Sequence, residues 1–268
     1  MTASISTPRP AAAVPTTSFG RVTGFGALAR RELTEWRRAR RSWMVLLASG
    51  LFMTLAALNN WLISVLPADM TVDADPPILD PLMNLIGPVT THVFVITAIF
   101  AIIALITAER ESGTLAWTAS KPVSRSAIWL SKFGTATGVM WMVAGVLPLL
   151  ATVAVVTVLY GAVPATTVAA LAVGMAMVIA LYVAVALAAS TVVTSQAAVA
   201  GITFGVISVA PMIGAVLPDP SVMPTAILDW AVLLGVGEPA GVLPVVTWAV
   251  TLGGLVAFSL RRMERMEL

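Results

Sequence analysis

The stretch FGTATGVMWMVAGVLPLLATVAVVTVLYGAVPATTVAALAVGMAMVIALYVAVALAASTVVTSQAAVAGITFGVISVAPMIGAVLP, residues 133–218, contains no charged side chain. A helix needs about 20 predominantly apolar residues to cross the hydrocarbon core of a bilayer, so this stretch is too long for one or two helices. Two turn-like segments divide it, GAVPATT at Gly161–Thr167 and STVVTSQ at Ser190–Gln196. The pattern predicts three membrane spans, over residues 133–160, 167–189 and 197–217.

The composition of the whole chain fits a membrane protein. Of its 268 residues, 59% are hydrophobic and 10% are charged, and the mean hydropathy is +0.96. A soluble domain carries roughly a quarter charged residues, so lipid rather than water must surround most of these helices. Uncharged runs predict three more spans, at Trp43–Leu66, Leu85–Ala108 and Leu243–Leu260. The expected fold is an all-α integral membrane protein with six transmembrane helices.

The basic residues are confined to three segments. All 15 Lys and Arg lie before Trp43, within residues 109–132 or after Leu260. With six spans these segments share one side of the membrane, which the positive-inside rule assigns to the cytoplasm. We therefore expect both termini and the 109–132 loop to be cytoplasmic, in a bacterial plasma membrane. The charged residues of the opposite loops are all acidic, namely Asp69, Asp73, Asp75, Asp80, Asp219, Asp229 and Glu238.

Residue usage narrows the classes of site. The sequence has no cysteine, which excludes disulfides and Cys-based metal sites, and His92 is the only histidine. The first 20 residues are rich in Ala, Thr, Pro and Ser and lack the apolar segment of a signal peptide. We expect residues 1–22 to form a disordered cytoplasmic tail and residues 23–268 a single transmembrane domain.

Residues 25–41, FGALARRELTEWRRARR, have an amphipathic pattern. At 100° per residue one arc is apolar and the opposite arc is basic, which predicts an interfacial helix with its basic face toward water and anionic headgroups. A simple orienting charge cluster would explain the arginines but not this angular separation. Glu32 is the exception near the apolar arc, where it either pairs with a neighbouring loop or extends to water. The candidate interfacial residues are Glu32, Trp36, Arg37 and Arg38.

The apolar segment Ser221–Gly235 is too short for a seventh span. As a helix it would reach about 22 Å, less than the roughly 30 Å hydrocarbon core. It also contains Pro224 and Asp229, and a seventh span would place the C-terminal arginines outside. We expect residues 219–240 to form an extracellular re-entrant segment between spans 5 and 6.

The loop between the second and third predicted spans reads AERESGTLAWTASKPVSRSAIWLSKF, residues 108–133. Gly113 permits a sharp change of direction, and the residues after it can form a short helix that ends before Pro122. Ser124 is a candidate N-cap for a helix that leads into the third span. From these features alone, the loop is either an ordinary polar connector or a rigid elbow that transmits force to two transmembrane helices.

Three features of this loop resemble the ABC-2 type permease family: E-R-E-S-G-T at Glu109–Thr114, K-P-V-S-R at Lys121–Arg125, and Lys132 before a span. The interfacial helix at residues 25–41, the six spans and the re-entrant segment agree with that family's layout. The resemblance implies the transmembrane subunit of an ATP-driven ABC exporter, with a coupling helix at residues 109–119 that docks on a separate ATPase subunit. It also implies a second permease subunit, either the same chain or a paralogue. The implied coupling residues are Glu109, Arg110, Glu111, Gly113, Thr114 and Leu115.

Nucleotide chemistry is not expected in this chain. The sequence has no G-x-x-x-x-G-K-[ST] motif, and its only lysines are Lys121 and Lys132. We therefore expect ATP and Mg²⁺ to bind the partner ATPase. The chain itself is expected to be a non-catalytic transport subunit with no cofactor, no metal site and no nucleic-acid partner.

A few polar or small residues fall inside the predicted spans. His92 lies about two turns inside the outer end of the second span, where an ionisable group is a functional candidate, although a neutral histidine bonded across helices is commoner. Asn59 and Asn60 either line a pathway or bond neighbouring helices. Gly201 and Gly205 permit close helix approach, either at the subunit contact that the resemblance implies for the fifth helix or in packing within the chain.

The competing function classes differ in the charges that they need. An exporter of an amphiphilic compound, such as a drug, antibiotic or lipid, suits uncharged spans rich in Met, Val and Ala. A secondary transporter or channel without an ATPase partner would be expected to have intramembrane charges, and residues 133–218 contain none. A membrane enzyme would need a catalytic cluster of polar residues at the interface, which the sequence does not present.

Overall fold

The computed structural model describes residues 24–66, 80–95 and 123–265, and within these ranges the chain is helical and contains no β-strand. Two 3₁₀ turns, Pro220–Val222 and Pro224–Ala226, precede the helix Ile227–Val236. The helices are α1 (Phe25–Arg38), α2 (Arg40–Val65), α3 (Pro81–Val95), α4 (Arg125–Leu159), α5 (Ala165–Val192), α6 (Gln196–Val216), α7 (Ile227–Val236) and α8 (Leu243–Arg265). The all-α class predicted from the sequence is confirmed.

Five of the described helices are long and apolar enough to cross a membrane: α2 from Ser42 onward, α4, α5, α6 and α8. They coincide with five of the six predicted spans. The remaining span, predicted over Leu85–Ala108, is described only as far as Val95, where α3 ends. The count of six therefore stays a prediction.

Helix α4 is longer than the predicted third span. Its 35 residues run without interruption from Arg125 to Leu159 and include one π-helical turn at Trp141–Val146. At about 1.5 Å per residue α4 reaches roughly 50 Å, so it extends well beyond a bilayer core. The predicted cap is confirmed, because the Ser124 side chain accepts a hydrogen bond of 3.1 Å from the Ala127 N–H.

The described helices share two chemically different ends. The described Lys and Arg residues lie at the end that contains α1, the start of α4 and the end of α8. We call it the basic end. The other is the acidic end, with Asp80, Asp219, Asp229 and Glu238. Helix α2 runs from the basic end to the acidic end, α3 begins at the acidic end, and α4 starts from the basic end.

Helix α5 is the centre of the described helices, and α4, α6, α7 and α8 all pack against it. Two tryptophans bond directly to its backbone: Trp141 Nε1 donates to the Ala172 carbonyl and Trp248 Nε1 to the Met177 carbonyl, each at 2.8 Å. A buried indole N–H usually finds such a partner, because the apolar interior offers no water. These bonds attach α4 and α8 to the first half of α5.

The short helix α7 packs closely on the half of α5 nearest the acidic end. A Cβ on Gly174 would stand 2.5 Å from the Cβ of Ala231, and one on Gly235 would stand 3.2 Å from the Cα of Thr167. The Thr167 hydroxyl also donates a hydrogen bond of 2.6 Å to the Gly235 carbonyl. With ten residues α7 is too short to span a bilayer, as the sequence predicted for this region.

The close approach of α5 and α7 can be tested with a matched pair of glycine substitutions. Gly174→Ala should lower the melting temperature of the purified protein, since overpacking costs about 1–3 kcal/mol. Gly138→Ala, also within a helix, should have little effect or stabilise, because a Cβ there has no neighbour within 4 Å. Adding Ala231→Gly to the Gly174→Ala variant should restore stability, and equal melting temperatures for both single variants would contradict the packing.

Candidate functional site at the basic end

A buried ion pair joins α1 to the beginning of α4. Lys132 Nζ lies 2.8 Å from Glu32 Oε1, and the two side chains are only 2% and 8% exposed. Charges buried in this way are tolerated only with a partner, because the cost of removing each from water is several kcal/mol. Of the two readings for Glu32, pairing is therefore correct, and its partner lies in the continuous helix α4.

Part of the apolar arc of α1 is buried against other helices, and part of it is exposed. Trp36 is buried and belongs to one apolar cluster with Ile128 and Trp129 of α4 and Met263 of α8. Phe25 and Leu33 from the same arc remain exposed. The helix exists where the amphipathic pattern predicted it, and part of its apolar face packs on other helices. Arg37 and Arg38 are exposed, in agreement with the predicted polar face.

The junction between α1 and α2 is a sharp elbow at Ala39. Ala39 has an extended backbone, with φ −74° and ψ 124°, which ends α1 before α2 begins at Arg40. The Ser42 hydroxyl donates a hydrogen bond of 2.8 Å to the Trp36 carbonyl, which also accepts the Ala39 N–H at 3.3 Å at the end of α1. The elbow thus holds α1 at a fixed position relative to the first span.

Arg125 connects the start of α4 to the end of α8. Its Nη1 donates to the carbonyls of Met263 at 3.3 Å and Glu264 at 3.0 Å. A cation near the last carbonyls of a helix is favoured by their partial negative charge. Gly24, with φ +84°, lies against Val123, whose Cγ1 would be 2.5 Å from a Cβ at that position. The residues Val123–Arg125 of the K-P-V-S-R motif therefore contact both α1 and α8.

The six predicted coupling residues lie outside the described residues, so their contacts stay a prediction. The described residues resume at Val123, after the predicted coupling helix at residues 109–119. The undescribed coupling residues are Glu109, Arg110, Glu111, Gly113, Thr114 and Leu115.

The candidates inside the spans have different surroundings. Asn60 Nδ2 donates to Asn84 Oδ1 at 2.8 Å and so bonds α2 to α3, whereas Asn59 is exposed. His92 falls within α3, and its side chain lies outside what the structure describes. For Gly201 and Gly205, no described atom lies within 4 Å of an added Cβ. The described residues therefore supply no close intrachain partner for these two glycines.

Sequence reasoning did not pair Glu32 with Lys132, although a signal was present. Glu32 was the acid on the apolar arc of α1, and Lys132 was the last charge before the uncharged stretch. Each was unusual in its own segment, and a buried charge calls for an opposite one. The contact of Arg125 with α8 left no comparable signal, because its acceptors are backbone carbonyls.

Comparison with known families gives one match. A family model described as ABC-2 family transporter protein matches residues 69–234, which is more than half of the chain. The chain belongs to the ABC-2 transporter family. The matched region includes the 109–132 loop and continues through α4, α5 and α6 into α7. A comparison with curated proteins finds no match.

Membership in the ABC-2 family agrees with the apolar helices and describes a multi-pass component of a membrane transport system. Permeases of this family are generally non-catalytic and work with an ABC ATPase. The family resemblance stated from the loop motifs is thereby confirmed.

The buried ion pair can be tested by comparing it with an exposed one on the same helix. Glu32→Ala should destabilise the purified protein by about 3–5 kcal/mol, because it leaves Lys132 buried without this partner. The double variant Glu32→Leu with Lys132→Met should recover most of the loss, since neither member of the pair is then a buried charge.

The control for this experiment is Glu35→Ala. It removes the Arg31–Glu35 pair, which is exposed and also 2.8 Å long, and should cost at most about 1 kcal/mol. The loss of stability in each of the three variants is measured as a change in melting temperature. Similar losses for Glu32→Ala and Glu35→Ala would contradict a specific role for the buried pair.

Proposed function

We propose that this chain is the membrane-spanning subunit of an ATP-driven exporter, powered by a separate ATPase that docks on residues 109–119. The observation that supports this most directly is the ABC-2 family match over the loop and the helices that follow it. ATP and Mg²⁺ bind the ATPase, and this subunit supplies the pathway.

The basic end has the mechanical properties that such docking needs. The loop leads through Val123 and Ser124 directly into α4, which continues without a break to the acidic end. The Glu32–Lys132 pair and Arg125 connect the first turns of α4 to α1 and α8. A displacement of the loop is therefore passed to three elements together, as rigid packed helices move as bodies.

The proposed topology has six spans with both termini in the cytoplasm of a bacterium. The basic end then faces the cytoplasm, as the positive-inside rule requires, and α1 lies at the inner interface. Helix α7 and the turns before it form a re-entrant segment at the outer face. Each of these placements follows from the charge asymmetry between the two ends.

A second permease subunit, identical or paralogous, completes the assembly. Helix α6 contacts α5 through a face that includes the buried residues Thr203 and Ile207. Gly201 and Gly205 lie on the opposite face, which has no close partner among the described residues. Small residues on such a face allow two helices to approach closely in a membrane, and we assign this face to the subunit contact. The cargo is an amphiphilic compound that moves out of the cytoplasm.

The proposed function is tested by purifying the tagged full chain from its native membrane and measuring Mg-ATP hydrolysis. An ATP-binding subunit should co-purify and hydrolyse ATP. Glu111→Lys and Gly113→Pro should each lower this activity about tenfold or more, equivalent to about 1.4 kcal/mol of docking energy.

The matched control is Glu238→Lys, the same charge reversal at an exposed position of the acidic end. It should leave both co-purification and hydrolysis intact. Absence of any ATPase, or full activity in both loop variants, would refute the proposed function.

A further inference from the structure

A cavity of about 260 Å³ lies at the acidic end, between α5 and the segment that leads into α7. Thr90 of α3 and the outer end of α6 also contribute to its wall, so residues far apart in sequence line the cavity. Most of the wall is apolar, with Val178, Met223 and Leu228 among its residues. Its polar side chains include Tyr182 and Asp229. An apolar cavity with a few convergent polar groups is the usual form of a small-molecule site.

Tyr182 has a hydroxyl group that the fold does not use. The residue is 3% exposed, and its hydroxyl forms no hydrogen bond with any described residue. The other tyrosine, Tyr160, differs, because its hydroxyl donates to the Ala57 carbonyl at 2.7 Å and accepts the Trp61 N–H at 2.8 Å. Tyr182 lines the cavity and its hydroxyl is not among the fully buried polar atoms, so the bonding capacity of this hydroxyl is available to an occupant of the cavity.

Asp229 brings a negative charge that the chain does not neutralise. It forms no hydrogen bond or ion pair with the described residues, and the sequence has no Lys or Arg from residue 43 to 109 or from 133 to 260. Asp219, at the same end, is different, because hydrogen bonds from Ser221 lower the pKa of its carboxyl group. Partial burial instead raises the pKa of the Asp229 carboxyl group. The Asp229 side chain also remains open to solvent, so its carboxylate is accessible to a cation from outside the chain.

The surroundings favour an organic cation over a metal ion. Ca²⁺ takes six to eight oxygen ligands, and Mg²⁺ needs near-octahedral oxygen coordination. In the part of the chain that the structure describes, no group of three acidic or histidine side chains gathers at any point. One carboxylate, neutral hydroxyl groups and apolar walls match an ammonium group attached to a hydrocarbon portion.

We propose that this cavity binds the protonated amine of an amphiphile, with Asp229 as the counter-charge and the Tyr182 hydroxyl as a hydrogen-bond acceptor. The volume accommodates the amine and its first carbons, which contact the apolar residues of the wall. The assignment rests on the proposed transport function, for which it names the cargo class. The amine belongs either to a free amphiphile or to a lipid headgroup.

The test is equilibrium binding of radiolabelled hexylamine, which is protonated at pH 7, to the full chain in phosphatidylglycerol nanodiscs, with empty nanodiscs subtracted. Wild type should bind it saturably and should bind hexanol and hexyl sulfate at least about tenfold more weakly, since a charged hydrogen bond contributes about 1.5–3 kcal/mol. Asp229→Asn should lower the affinity for hexylamine about tenfold, and Tyr182→Phe about threefold to tenfold.

The matched control is Asp219→Asn, which removes an acid already bonded to Ser221 and should leave the affinity unchanged. Wild-type melting temperatures for all variants would show that the losses concern binding. Equal affinity for hexylamine and hexanol, or unchanged affinity in Asp229→Asn, would overturn the proposal. Competition by phosphatidylethanolamine would support a lipid amine as the occupant, and its absence a free amine.

This binding assay needs no ATPase, so the two proposals can fail separately. If an ATPase co-purifies but hexylamine does not bind through Asp229, only the cargo assignment is wrong. If hexylamine binds and no ATPase is found, the transport function is wrong and the site remains.

Discussion

The ion pair between Glu32 and Lys132 is the contact on which the arrangement of the basic end depends. Lys132 is the last charge before a long uncharged stretch, so α4 carries it to the edge of the apolar region, where it needs an opposite charge. Glu32 supplies that charge only if α1 lies against α4 with Trp36 buried beside it. Arg125, two turns earlier in α4, then holds the last carbonyls of α8. One electrostatic requirement thus brings the described basic segments into a single packed unit.

The basic end and the acidic end are held together by different interactions. At the basic end, charges are paired or placed on exposed helix faces, which gives the rigid base that the proposed ATPase contact requires. At the acidic end, helices approach through small residues such as Gly174 and Gly235 and are joined by neutral hydrogen bonds such as Asn60–Asn84. The sequence near the carboxylates of this end contains no Lys or Arg, in keeping with the proposed amine site at Asp229.

Hydropathy and charge made most of the fold predictable, and long-range packing made the rest unpredictable. Residues 133–218 predicted α4, α5 and α6, because span length and the absence of charge are properties of the local sequence. Periodicity predicted α1, and the residue type of Ser124 predicted its capping role. For Glu32, periodicity gave the face of α1 on which it lies but not its partner. Its partner is 100 residues away. The cavity beside Tyr182 likewise depends on how α7 packs on α5, which the spacing of Gly174 alone does not reveal.

The most direct measurement of the central claim places a single thiol in the loop that the ATPase is proposed to contact. The chain has no cysteine of its own, so Thr114→Cys and Glu238→Cys each introduce a unique label. With a photoactivatable maleimide, Thr114→Cys should cross-link to an ATP-binding subunit and should resist a membrane-impermeant maleimide in intact cells. Glu238→Cys should show the reverse pattern. Labelling of Thr114→Cys from outside, without any cross-link, would contradict both the topology and the docking surface.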